Sequence, residues 1–373
     1  MASGEKVDRV VVANPDWYAS FPQLFRTDRE VVLLFQVQEL ERLKAIPEHP
    51  HWQKVAQPRW AVSRDQGLSW DVTDRPPQVG RVLDATNPSC PLADGGTVTL
   101  SFDRNRPKVA LIEHGTVGGY RPYQSTDLPG AEKHAFDNFG PYNEFCPFGV
   151  ARTPDGAIIA CGYATMPAEL SGTAWTKTNT LFLQSDDEGR TWRYLSDLPN
   201  PYPFGFSEAD LVAGPGDYLQ VYMRADWNYV PREQWPPEAD TGEERYGYFL
   251  YRSESVDGGR TWSVPEQLPL WGHPPCVKRL RSGNLLLVWG HRQPPYGAVG
   301  CISSDNGKTW DPSKAKQLIG FDPGGYDLGY PVATQFPDGR ILCACYGYST
   351  NEIYGKVPHG IFASTFDEQW LAR

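Results

Sequence analysis

A chain of 373 residues with a formal net charge of −10 has no surplus of Lys and Arg for nucleic acid or an anionic membrane surface, since both reward clustered cations. Its 36 Gly, 34 Pro, 13 Trp, 19 Tyr and 16 Phe, with no long run of helical periodicity, exclude a helical bundle and predict an all-β protein rich in turns. The amino terminus lacks an apolar core of signal-peptide type and no apolar stretch is long enough to span a membrane, so a soluble cytoplasmic protein is the expectation.

Seven cysteines are odd in number and none shows the paired spacing of a zinc site, so buried free thiols are expected and neither metal nor cofactor is implied. In chain order, Val7-Asp-Arg-Val-Val-Val-Ala13 reads as a lone strand. In a closed ring of sheets such a strand completes the last sheet and leaves no free edge. Hairpins follow at Pro22 to Phe35, at Phe148 to Ala160 across Pro154-Asp-Gly156, and at Ala209 to Met223 across Gly214-Pro-Gly-Asp217. Others lie at Cys276 to Trp289 across Arg281-Ser-Gly283, and at Tyr330 to Tyr348 across Pro337-Asp-Gly339.

Repetition at this scale marks a repeat architecture. Counting each hairpin with its following strand pair gives six units, about 20–75, 80–130, 140–198, 205–268, 272–318 and 328–370. The expectation is a single domain over residues 1–373, an all-β six-bladed propeller of four-stranded antiparallel blades.

One octet recurs inside these units. Ser63-Arg-Asp-Gln-Gly-Leu-Ser-Trp70, Ser185-Asp-Asp-Glu-Gly-Arg-Thr-Trp192, Ser255-Val-Asp-Gly-Gly-Arg-Thr-Trp262 and Ser303-Ser-Asp-Asn-Gly-Lys-Thr-Trp310 all fit S-x-D-x-G-x-[ST]-W. Aspartate accepts from turn backbone, glycine supplies a positive φ and tryptophan packs between sheets, so the octet is read as structural. Four such copies resemble the Asp boxes, also called BNR repeats, of the sialidase (neuraminidase) superfamily, and the resemblance spans nearly the whole chain.

In a four-stranded blade the start of strand one and the end of strand two share one rim, and the octets fall on the other. Strand one is preceded by Ser20, Glu144, Glu208, His273 and Tyr330; strand two is followed by Gln38, Tyr163, Arg224, His291-Arg292 and Tyr348. The resemblance implies a nucleophilic tyrosine at Tyr330, its glutamate base at Glu208, and arginines at Arg224 and Arg292 that bind a substrate carboxylate. The residue types suit that chemistry, because a carboxylate beside the anomeric carbon would repel a carboxylate nucleophile, whereas a phenol is neutral until its proton is taken. Arginine binds carboxylate through paired hydrogen bonds, and its charge favours the phenolate.

The amino-terminal half departs from the family. The family's first-blade Arg-Ile-Pro is replaced by Ser20-Phe-Pro22, and the loop expected to carry an acid/base aspartate offers Glu39, Glu41, Glu48, His49 and His51 instead. One missing charge-assisted hydrogen bond costs roughly 1.5–3 kcal/mol, which weakens sialic acid itself as the substrate. His49 and His51 are thus candidate catalytic groups, with Ser20, His273 and His291 as candidate substrate contacts. Three functions fit: a retaining exo-glycosidase for an acidic or unusual sugar, a lyase on uronate-containing glycans, and a sugar-binding propeller without turnover. The expected partner in each case is a carbohydrate.

Overall fold

The computed structural model describes residues 5–41, 56–102, 110–115, 132–166, 168–227, 230–235, 249–321, 327–349 and 357–373. Strand β1 (Val7–Val12) precedes a first sheet of β2 (Trp17–Thr27), β3 (Val31–Glu39), β4 (Gln57–Ser63) and β5 (Asp71–Thr73), joined by β6 (Val82–Ala85). The second sheet holds β7 (Ser89–Pro91), β8 (Thr97–Phe102), β9 (Ala110–Gly115) and β10 (Glu132–Phe136); the third holds β11 (Cys146–Arg152), β12 (Ile158–Met166), β13 (Lys177–Ser185) and β14 (Arg193–Asp197). The fourth holds β15 (Gly205–Ala213), β16 (Leu219–Asp226), β17 (Phe249–Ser255) and β18 (Glu266–Trp271). The fifth holds β19 (Pro275–Arg279), β20 (Leu285–His291), β21 (Gly297–Ser303) and β22 (Lys316–Gly320), and the sixth β23 (Gly329–Gln335), β24 (Arg340–Ser349) and β25 (Val357–Asp367) together with β1.

All six sheets are antiparallel and sit as propeller blades. Their innermost strands touch in ring order, β11 against β7, β15 against β11, β19 against β15, β23 against β19 and β2 against β23. The ring closes as expected: β1 runs antiparallel to β25, from Val7 opposite Thr365 to Val12 opposite Ile361.

Two boundaries differ from the sequence reading. The first blade has five strands, because β6 pairs with β2 (Phe25 opposite Ala85), and the second blade therefore begins at Ser89. The cause is local: Thr86 donates to the Leu24 carbonyl and its hydroxyl takes the Leu24 amide, tying residues 82–86 to the first blade. Ser20, Glu208 and Tyr330, expected just ahead of their strands, lie inside β2, β15 and β23.

The hydrophobic core is distributed between blades. Ile159 and Phe182 of the third blade pack with Phe206, Val221 and Met223 of the fourth, and Leu24, Leu33 and Phe35 of the first pack with Leu342, Ala344 and Tyr346 of the sixth. A strand such as β3, Val-Val-Leu-Leu-Phe-Gln-Val-Gln-Glu, is buried on both faces because its sheet lies between two others, which is why it reads as a continuous apolar run.

The octets build the seams between blades. In each, serine donates to the aspartate (Ser255 Oγ to Asp257 Oδ1, 2.8 Å), and the aspartate accepts the amide and hydroxyl of the residue before tryptophan (Thr261, 2.9 and 2.6 Å). The tryptophan then reaches back into the seam: Trp262 stacks on Phe182 of the preceding blade at 4.1 Å and donates to Gly259 O at 3.1 Å. Gly259 sits at φ +86°, a conformation that strains any residue with a Cβ, and a Cβ there would also press on Leu195 at 3.1 Å. The other three copies repeat the aspartate bonds at Asp65, Asp187 and Asp305.

Candidate active site

The innermost strands carry a bulge at the same level in four blades. Register slips between Ser20 and Gln23, Pro147 and Gly149, Ser207 and Asp210, and Gly329 and Val332, so Phe21, Phe148, Glu208 and Tyr330 occupy equivalent places. Phe21, Glu208 and Tyr330 are held at φ 54°, 45° and 48°, a left-handed conformation that costs a non-glycine residue about 1–3 kcal/mol and persists where the surroundings impose it. A bulge re-aims its side chain out of the pleat. Here it points them together: the Tyr330 ring lies 4.7 Å from Phe21 and 6.2 Å from Phe148, residues of the first and third blades touching one of the sixth. Contact between blades on opposite sides of a ring is possible only near its axis.

Across that axis the Tyr330 hydroxyl donates to Glu208 Oε1 at 2.5 Å, and Arg224 Nη1 donates to Glu208 Oε2 at 2.7 Å. Glu208 and Arg224 are both buried, with Arg224 delivered from β16 beside the Ser207 end of β15. Burial disfavours the Arg224 charge, but Glu208, Asp226 and Tyr330 outweigh it and hold the guanidinium's pKa above its ordinary value. Tyr330 moves the other way from the sequence expectation. Burial first, and the Glu208 charge second, push its phenol well above the ordinary range, while Arg224 and Arg292 pull it down by less. The resting phenol is neutral, with its proton already directed at the carboxylate.

Arg292, just past β20, has no carboxylate partner among the described residues, and its Nε is buried without a hydrogen-bond acceptor. Its place beside Tyr330 depends on two glycines. A Cβ on Gly290 would come within 3.0 Å of Gly329 Cα and 2.6 Å of His273 O, so the fifth and sixth blades approach backbone to backbone, with Arg292 Nη2 4.0 Å from the position a Gly329 Cβ would take. A buried guanidinium with no counter-ion among the described residues is costly, and an anion would relieve that cost.

The remaining candidates divide. His273 is fully buried near both arginines, with neither ring nitrogen hydrogen-bonded; burial first, then Arg224 and Arg292, depress its pKa well below the usual imidazole value, so it is neutral. Ser20 is buried with no partner for its hydroxyl. His291 turns away from Arg292: its Nδ1 lies 2.9 and 3.1 Å from the carbonyls of Gln293 and Pro295, and its ring packs 5.1 Å from Trp271. Glu144 accepts the amide and hydroxyl of Thr165 within its own sheet. His49 and His51 lie outside the described residues.

The sequence reading missed a second group on this rim. Asp327 accepts the Tyr18 hydroxyl at 2.5 Å and the Tyr346 hydroxyl at 3.0 Å, and Tyr346 stacks on Tyr330 at 6.0 Å. Tyr348, picked from the strand end, sits instead by His359, 6.3 Å away. An acidic residue three places ahead of Tyr330 was the available signal, but it stood in a Gly-rich loop and had no pattern to single it out.

No family model matches the sequence, and no curated protein matches it. Among solved structures the fold is shared with a protein of unknown function from Dyadobacter fermentans, at 21% identity and a TM-score of 0.69 over 98% of this chain and 100% of that one. It is also shared with the NanB sialidase of Streptococcus pneumoniae (11% identity, TM-score 0.55, 97% of this chain and 70% of that one). The Hadza microbial sialidase Hz136 is similar too (13% identity, TM-score 0.51, 94% and 66%). The chain thus has a sialidase-like propeller fold.

Proposed function

We propose that this chain is a retaining exo-glycosidase of sialidase-like type that acts on an acidic or unusual sugar in place of ordinary sialic acid. The observation that carries this reading is the Tyr330–Glu208–Arg224 chain of hydrogen bonds at the axis, 2.5 and 2.7 Å long. In it, Glu208 takes the phenolic proton as the Tyr330 oxygen attacks the anomeric carbon, and a second displacement by water restores both groups with the original configuration. A neutral phenol approaches an anionic sugar without the repulsion a carboxylate would meet. Arg292, without a carboxylate partner among the described residues, supports an anionic substrate, and Arg224, already committed to Glu208, serves the nucleophile's base as well as the anion.

Ser20 at the place of the family's first arginine supports a substrate whose anion is held by fewer charges. The octets, as Asp boxes, serve the fold. The test is digestion of a glycan panel containing sialylated and uronate-terminated chains, with products read by mass spectrometry and anomeric configuration by NMR. Addition of water with retention is the expected result. An unsaturated product absorbing in the near ultraviolet would replace hydrolysis by elimination, in which the arginines neutralise a uronate carboxylate and acidify the neighbouring C–H. Binding of a glycan with no product would leave a lectin.

A further inference from the structure

A retaining glycosidase needs, besides nucleophile and base, a group that protonates the departing oxygen and later deprotonates water. Near the start of β25, His359 places Nε2 3.5 Å from Asp327 Oδ2, the carboxylate that also accepts from Tyr346 next to Tyr330. That nitrogen is buried and makes no hydrogen bond, with the Asp327 carboxylate as its ion-pair neighbour, and Nδ1 is not among the buried unpaired atoms. The imidazole packs 4.3 Å from the Tyr18 ring, and both His359 and Asp327 keep about a fifth of their side-chain surface exposed, at 20% and 21%.

Asp327 is itself fixed by two phenols, Tyr18 and Tyr346, from the first and sixth blades. One of them, Tyr346, stacks directly on the Tyr330 ring. A carboxylate that orients an imidazole and stabilises its protonated form is the arrangement that lets histidine give and take a proton in one cycle.

We propose that His359, positioned by Asp327, is the acid/base group of this site, and that the leaving group exits over the junction of the first and sixth blades. This rests on the glycosidase reading. In the first step the Tyr330 oxygen bonds to the anomeric carbon as the glycosidic C–O bond breaks; the phenolic proton passes to Glu208 and the His359 proton to the leaving oxygen. In the second, water attacks the same carbon and gives its proton to His359, the bond to Tyr330 breaks, and the phenolate recovers its proton from Glu208. Atoms and charge balance with water as the only co-reactant.

The experiment uses aryl glycosides of N-acetylneuraminic, glucuronic and galacturonic acids with the whole 373-residue chain. The sugar that wild type turns over is then carried through leaving groups from 2,4-dinitrophenol to methanol. His359→Ala is expected to lower kcat/KM for the methyl glycoside by about 10²–10⁴-fold and for the dinitrophenyl glycoside by less than about tenfold, since an acidic leaving group needs no proton, while kcat falls on both because water then lacks its base. Azide should restore the variant's turnover and yield a glycosyl azide of retained configuration, and Asp327→Asn should show a weaker form of the same dependence. His359→Gln, close in volume, gives the answer if the alanine variant does not fold. Equal loss of kcat/KM on all leaving groups with no azide rescue overturns the assignment, and if Tyr330→Phe is meanwhile inactive even on the dinitrophenyl glycoside, the glycosidase reading survives alone. A wild type inactive on every aryl glycoside, or a Tyr330→Phe variant that keeps its activity, removes the glycosidase reading and this inference with it.

Discussion

Replacing Tyr330 with phenylalanine removes one oxygen and leaves the ring where it is. The contacts to Phe21, Phe148 and Tyr346 are made by ring atoms and persist. What is lost is the 2.5 Å bond to Glu208, whose other oxygen keeps Arg224. A hydrogen bond to a charged group contributes roughly 1.5–3 kcal/mol, and with an unfolding entropy of about 2.1 cal/mol/K per residue over this length the melting temperature should fall by roughly 2–4 °C. Turnover should fall far more, by about 10³-fold or greater, because the atom proposed to bond to the sugar is gone. Scanning calorimetry and initial rates on the best aryl glycoside measure the two effects on one preparation. Acid quench of the wild type during turnover, followed by peptide mass analysis, should place the sugar on the peptide containing Tyr330. A variant within tenfold of wild-type turnover, or an adduct on another peptide, would refute the assignment.

Arg292→Lys keeps a positive charge but loses the paired geometry, so KM for the anionic substrate should rise about 10- to 100-fold, with a smaller change in kcat, corresponding to one charge-assisted hydrogen bond; steady-state kinetics reads the split. Asp257→Ala removes the three bonds from Ser255 and Thr261 at the far end of the fourth blade, and should lower the melting temperature by roughly 1–3 °C with activity per folded molecule unchanged. A selective loss of turnover there would place the octets on the catalytic rim. Slight burial opposes ionisation of Asp65 and Asp305, but the bonds from Ser69 and Ser63, and from Ser303 and Thr309, outweigh it and hold both near a pKa of about 2, below the usual 3.8. A carboxylate depressed in the folded state stabilises above its unfolded pKa and loses that contribution as the pH falls through the folded one. The difference in melting temperature between wild type and Asp65→Asn should therefore be full above about pH 4 and vanish towards pH 2; a difference independent of pH would show that the charge is not what the turn uses.

The ends of each blade can be told apart by register alone. Ser255, which opens the octet turn, stands opposite Leu219, and Leu219 opposite Ala213 at the end of β15. Glu208 lies five residues back along that strand, about 16 Å at 3.3 Å per residue. That separation is why mutations in the octets and at the axis site are expected to have different effects.

Much of this protein is written locally. Turn residues at Pro337-Asp-Gly339 and Arg281-Ser-Gly283, apolar runs of strand length, and the four octets depend on neighbours a few positions away, so hairpins, the closing β1 strand and the opposed faces could all be read from the chain. The sequence likewise pointed to Tyr330, Glu208, Arg224 and Arg292, since each stands at a hairpin mouth and resembles the sialidase pattern there.

What no local pattern carries is which side chains from distant blades meet. Whether Asp327 reaches Tyr18, 309 positions earlier, or His359 faces Asp327, depends on how the ring closes and on bulges at Phe21, Glu208 and Tyr330 that turn side chains towards the axis. Ionisation was decided there too. The sequence places two arginines near a tyrosine and predicts an acidified phenol, but burial at the axis and the carboxylate 2.5 Å away act in the opposite sense and prevail, because desolvation depends on the protein packed around a group, which only the closed ring supplies.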